Sequence, residues 1–72
     1  MLRLVVKSSA LTSIGYEERT RILEIEYKNG TVYRFKEVPR PIWEELKHLA
    51  SSGGPIGAYV NANVRDKYDF VE

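Results

Sequence analysis

The stretch ILEIEYKNGTVYRFKEV, Ile22 to Val38, holds two alternating runs that meet at Asn29-Gly30, which is the pattern of a β-hairpin. Side-chain alternation decides its register, because a slip of one residue sends every side chain of a strand to the opposite face. A two-residue Asn29-Gly30 loop would set Leu23, Ile25 and Tyr27 on one face with Val32, Arg34 and Lys36, a poor core. A three-residue Lys28-Asn29-Gly30 loop, with Gly30 in the left-handed conformation of a G1 bulge, pairs Tyr27 with Thr31, Ile25 with Tyr33 and Leu23 with Phe35. One face is then apolar and aromatic. The other pairs Glu26 with Val32, Glu24 with Arg34 and Ile22 with Lys36, so a cross-strand ion pair falls on the side expected to meet solvent.

Upstream, Leu2 to Lys7 is a short β-leaning run, and Ser8 to Tyr16 alternates loosely, with Leu11 and Ile14 as buried points and Gly15 as a bend or bulge. Both segments are expected as edge strands. Glu17 to Thr20 reads as a polar turn into the hairpin. Downstream, Val38-Pro39-Arg40-Pro41 ends the second hairpin strand and opens a helix, because proline removes a ladder donor and suits a first helical turn. That helix is expected to run to about Ser51. Ile42, Trp43, Leu46, Leu49 and Ala50 form its apolar stripe, and Glu44, Glu45, Lys47 and His48 take the other side. Ser51-Ser52-Gly53-Gly54-Pro55 stops it. Ile56, Tyr59 or Val60, and Val64 fit a short second helix by spacing, and Tyr68 to Val71 reads as a closing strand that pairs with a sheet edge.

The expected fold class is therefore α+β: a small antiparallel sheet of three to five strands in the order strand, strand, strand, helix, short helix, strand. The main amphipathic helix packs on one face. The 72 residues make one domain, 1–72, with one core. There is no cysteine, so neither a disulfide framework nor a Cys-based zinc site is available, which favours a reducing cytoplasm. The start MLRLVVKSS has no apolar run of membrane-spanning length, and no membrane association is expected. Eleven basic against ten acidic residues give +1, so bulk charge does not draw the chain to nucleic acid. Only local clustering can do that.

Chemistry-bearing residues are sparse. His48 is the only histidine and sits on the polar side of the expected helix, one turn from Glu44. Asp66 and Asp69 lack the partners of a metal site, and Gly53-Gly54 follows no strand and carries no phosphate-loop pattern. The chain is expected not to be an enzyme and to need neither cofactor nor metal. Two clusters remain as binding candidates. In Gly57 to Tyr68, the residues Tyr59, Asn61, Arg65 and Tyr68, with Lys67 among them, supply the stacking surfaces, amide and cations that single-stranded nucleic acid recognition uses. The structural alternative packs the tyrosines in the core and ties Asn61 and Arg65 to backbone carbonyls or to Asp66. In a regular helix Asn61 and Arg65 would project together. The second cluster is Arg19, Arg21, Arg34 and Lys36, with Lys7 or Arg40 adjacent, and its alternative is a solvated, salt-bridged sheet face.

The order Ser8-Ser9, Ile14-Gly15-Tyr16, an L-x-I-x-Y strand, Asn29-Gly30, Tyr33-Arg34-Phe35, Val38-Pro39, Trp43 and Leu46, a Ser/Gly turn, then Tyr59-Val60-Asn61, Val64-Arg65 and Tyr68 resembles the KTSC domain. That family is named for its occurrence at the C-terminus of some lysyl-tRNA synthetases and also exists as free-standing small proteins. The match runs over nearly the whole chain. Two positions depart from the family pattern. Its Y-x-Y motif appears as Tyr33-Arg34-Phe35, so the second ring has no hydroxyl and serves as core packing. The Ser51 to Ile56 turn carries extra residues before Gly57, which changes the geometry of any ligand contact made there. The resemblance implies RNA as a partner, through Tyr59, Asn61, Arg65, Lys67 and Tyr68, with Arg34 a weaker candidate. The rival from another class is a protein-interaction module, self-associating through a strand edge or docking through exposed tyrosines.

Overall fold

The computed structural model describes residues 2–72. Its elements run β1 (Arg3–Val5), β2 (Leu11–Glu17), β3 (Ile22–Tyr27), β4 (Val32–Phe35), α1 (Arg40–Ser52), α2 (Ile56–Val60), a π-helical turn (Asn61–Arg65) and β5 (Phe70–Val71). The five strands form one antiparallel sheet in sequential order, so the α+β architecture is as expected, with one more strand before the helix than the expected order held.

The β3–β4 hairpin adopts the three-residue loop. Leu23 pairs with Phe35, Glu24 with Arg34, Ile25 with Tyr33 and Glu26 with Val32. The Tyr27 amide donates to the Thr31 carbonyl at 2.9 Å, and Gly30 at φ 91° supplies the left-handed residue that closes the loop. Leu23, Ile25 and Phe35 are fully buried, and Tyr27 and Tyr33 continue the same face as a half-buried aromatic margin. Phe35, where the resemblance implies a tyrosine, is core packing.

β2 departs from its expected role. It lies between β1 and β3 and is an interior strand. Its irregularity falls between Leu11 and Ser13 instead of at Gly15. Thr12 is the extra residue, and that insertion lets Leu11 face the core opposite Tyr27 while Ser13 faces outward opposite Glu26. Without it the two would share a face. Gly15 instead sits regularly paired between Arg3 on β1 and Glu24 on β3. Having no side chain, it leaves a passage on the outer face that Arg3 uses to reach across β2.

The helices cover the other face. Leu46 of α1 and Ile56, Val60 and Val64 of the second helical segment are buried with Val6, Leu11, Ile14, Leu23, Ile25, Phe35 and Val38. Ile42, Trp43, Leu49 and Ala50 pack at its edge, as the stripe requires. Pro39 caps α1 by accepting from the Ile42 amide at 3.1 Å, and Gly53 ends it at φ 74° with its amide on the Leu49 carbonyl. Tyr16 fixes how the helix enters: its hydroxyl donates to the Val38 carbonyl at 2.6 Å and its ring stacks on Trp43 at 5.6 Å.

On the outer face the anticipated Glu24–Arg34 pair is part of a larger network. Arg34 Nε donates to Glu24 Oε2 at 2.7 Å, and Arg3 donates from Nε to Oε1 at 2.8 Å and also through Nη2. Arg3 Nη1 reaches Ser13 Oγ at 3.0 Å and Glu26 Oε1 at 3.3 Å, and the Ser13 hydroxyl donates to Glu26 at 3.0 Å. Four strands are thereby laced together. Burial pushes the Glu24 carboxyl up, but the hydrogen bonds from Arg3 and Arg34, together with their charges, outweigh it and hold the group below its ordinary 4.5.

Because that folded-state value is depressed, the ionised Glu24 stabilises the fold at pH above 4.5, and the gain is lost as pH falls through the lowered value. Urea titrations of wild type and Glu24→Gln should differ by about 1–2 kcal/mol near neutrality. The difference should vanish in acid; an equal gap at both pH values would refute the assignment.

Candidate functional site

The sequence candidates fall into three places. At the first, the π-helical turn holds buried Val64, whose carbonyl accepts from the amides of Lys67 and Tyr68, each at 3.1 Å. The chain then runs back along the sheet. The Lys36 amide donates to the Asp69 carbonyl at 2.8 Å, just before Phe70 pairs with Phe35 in the ladder. That return builds a groove of about 620 Å³ lined by Lys36, Arg65, Asp66, Lys67, Tyr68, Asp69 and Phe70.

Arg65, Lys67 and Tyr68 therefore come together as expected, and Lys36 joins them from the second cluster. Among the described residues, none of Lys36, Arg65 and Lys67 takes part in an ion pair, whereas Arg3, Arg34, Arg40 and Lys47 all do. The groove cations are thus available to a ligand. Arg65 is oriented by the aromatic margin of the core, its guanidinium carbon 5.9 Å from the Tyr27 ring centre and 6.0 Å from that of Tyr33. Phe70, 43% exposed, lies 4.5 Å from Tyr33 and 5.3 Å from Phe35 between ring centres, so its position is set by the same aromatic group while part of its surface stays open. Phe70 is a groove-lining ring that the sequence reading passed over, where it read only as part of a closing strand.

Tyr59 and Tyr68 are half-buried and pack against the core, so the structural alternative describes them better than an open stacking role. Burial pushes the Tyr59 phenol up, and the nearby Glu45 carboxylate and Tyr68 add to the shift. Asn61 lies elsewhere. It lines a second groove of about 500 Å³ with Lys7, Ser8, Ser9, Pro55 and Gly57. A regular helix would have projected it beside Arg65. Arg65, four residues on, lines the C-terminal groove and not this one, so the expected joint patch does not form.

Arg34 occupies the third place. It points from the outer face, bound to Glu24, and is half-exposed there as part of the sheet's ion network. The second cluster does not gather into one basic face. Arg40 is held by Glu18 and by Glu44 on its own helix, Arg19 lies with Glu17 and Glu18 near Trp43, and only Lys36 reaches the C-terminal groove. His48 is exposed on α1, and Glu44 is engaged by Arg40 and Lys47 in its place.

Comparison with known proteins adds family context. Residues 7–68 match the model of the KTSC domain. An uncharacterised protein of Stutzerimonas stutzeri is 38% identical over 53 residues, covering 74% of this chain and 75% of that protein. A lysine–tRNA ligase of Nostoc punctiforme is 30% identical over 64 residues, covering 89% of this chain but only 11% of the ligase. The crystal structure of a KTSC domain protein from Yersinia pestis superposes with a TM-score of 0.84 at 25% identity, over 99% of this chain and 94% of that one. In all the described residues, no helix is long and apolar enough to cross a membrane.

Because Arg65 is exposed and its guanidinium lies over the Tyr27 and Tyr33 rings, Arg65→Ala should lower unfolding free energy by no more than about 1 kcal/mol. Chemical denaturation checks this. A loss of several kcal/mol would make Arg65 a structural residue.

Proposed function

The chain belongs to the KTSC domain family, and from that premise we propose that it is an RNA-binding module that holds a short single-stranded segment in the Lys36–Arg65–Lys67 groove. The observation that carries this reading is the meeting of three unpaired cations with the open ring of Phe70 in one concave strip. Phosphates fit the cations, and a base face fits the ring. The likeness to a segment of a lysine–tRNA ligase supports RNA as the class of ligand.

The same groove also carries Asp66 and Asp69, so its side chains sum to three positive and two negative charges, a local net of +1. Affinity therefore rests on stacking as much as on charge, and is modest. The carboxylates are acceptors suited to the exocyclic amino groups of bases, which gives the site a means of selecting among them. Arg34 has no part in this, since its guanidinium is committed to Glu24 on the outer face. Tyr68 lines the same groove, and Tyr59 and Asn61 lie outside it.

Fluorescence anisotropy with a labelled single-stranded RNA of about ten nucleotides tests the proposal. Binding at low salt should weaken as salt rises, with a log–log slope of about −0.7 for each phosphate engaged. Arg65→Ala and Lys36→Ala should each make the slope shallower by about that amount, and Phe70→Ala should weaken binding by about 1–3 kcal/mol with the slope unchanged. Undetectable binding at low salt, or binding indifferent to all three substitutions, would refute it.

A further inference from the structure

The edge of the sheet remote from the groove is built as a pairing surface. β1 bonds only to β2, leaving one side of its backbone free. Which groups are free follows from the ladder. The Val6 amide donates to the Thr12 carbonyl at 3.1 Å, and the register pairs Val5 with Ser13, Leu4 with Ile14 and Arg3 with Gly15. Hydrogen-bonded pairs alternate along an antiparallel ladder, so Leu4, like Val6, turns its N–H and C=O toward β2. Arg3 and Val5 turn theirs outward.

Natural sheets protect an edge with a proline, a lysine or a bulge, among other devices, and the three residues of β1 carry none of these three. Its one charge, Arg3, is drawn inward over Gly15 to Glu24, so its guanidinium is held on the sheet and away from the rim. The side chains along the rim are apolar and open: Leu2 is 89% exposed, Val5 84% and Leu4 39%. Below Leu4 a groove of about 550 Å³ continues the apolar surface past Tyr16 and Trp43.

We propose that β1 pairs with β1 of a second copy of this chain, antiparallel and about a two-fold axis through Leu4, joining the two sheets into one. That axis sets Arg3 opposite the partner's Val5 and Val5 opposite the partner's Arg3. These are the residues whose backbone groups are free, so each pair exchanges both of its hydrogen bonds, and the edge is self-complementary as an isologous contact requires. Leu4 meets its own copy on the helix side, and Val5 packs beside the stem of Arg3 on the other. The charged rim of the adjoining groove also suits a copy of itself. Glu17 and Glu18 balance Arg19 and Lys47 there, so two such surfaces meet without the repulsion that a patch of one sign would bring. The RNA groove lies at the β4–β5 end of the sheet and stays open in the dimer, so the two surfaces act independently.

Sedimentation equilibrium from micromolar to millimolar protein reads the outcome. The wild type should move from the 8.3 kDa chain mass to twice that mass. Val5→Pro removes an outward amide without touching a bond to β2, and Val5→Lys puts a charge on the rim while keeping every backbone group, so it serves if the proline variant fails to fold. Each should weaken dimerisation by about tenfold or more. A wild type that stays monomeric at millimolar concentration would overturn the proposal. So would a dimer indifferent to Val5→Lys, or growth beyond two copies, which marks pairing of unlike edges into an open chain.

Discussion

One conformational choice organises this domain: Gly30 takes the left-handed backbone that a three-residue loop demands. Through it the β3–β4 register is set, and through the register every side chain of the hairpin is assigned to a face. Leu23, Ile25 and Phe35 go inward, where Leu46, Val60 and Val64 close over them. Glu24 and Arg34 go outward, where they become the centre of an ion network. A slip by one residue would bury Glu24 and Glu26 under the helices and turn the aromatic margin to solvent. Neither the core nor the groove survives that exchange.

The two faces of the sheet solve different problems. Inside, the requirement is volume, met by branched aliphatic side chains from both the sheet and the helices. Outside there is no second layer, and Glu24 is nonetheless almost covered. Arg3 and Arg34 are its roof, and they satisfy its oxygens as they bury it. Gly15, paired between Arg3 and Glu24, puts no side chain at that point of the face. The structure thus uses the one position in β2 without a side chain to connect strands that are not neighbours.

Much of this is written in the sequence where a short period repeats it. Alternation over Ile22 to Phe35 and the Ile42, Trp43, Leu46, Leu49 stripe, punctuated by Pro39, Pro41 and Gly53, identify the hairpin and α1 directly. What stays hidden depends on neighbours remote in the chain. Nothing in LRLVV marks Arg3 as a ligand of Glu24, since that contact needs β1, β2 and β3 already in register. Thr12 carries no mark of a bulge, and the more suggestive Gly15 draws the eye instead. Arg65, Lys67 and Tyr68 were legible as a cluster because they are close in sequence. Asn61 is close to that cluster in sequence but lines the groove beside Ser8 and Pro55, and Lys36 and Phe70 join the cluster only through the β4–β5 pairing.

That last pairing separates the site from the rest of the domain in time. β1 to β4 form a meander of sequential neighbours, which closes through short loops, whereas Phe70 must find Phe35 across both helices. Contacts of long sequence separation carry the larger loop-closure entropy and form late. The β4–β5 contact is also only two residues long, which makes it the cheapest part of the sheet to reopen. Because Lys36 stands on one side of that seam and Lys67 and Phe70 on the other, the groove exists only while the seam is shut. Ligand contacts that bridge both banks therefore act as a clasp, and occupancy of the groove and closure of the sheet become one coupled equilibrium.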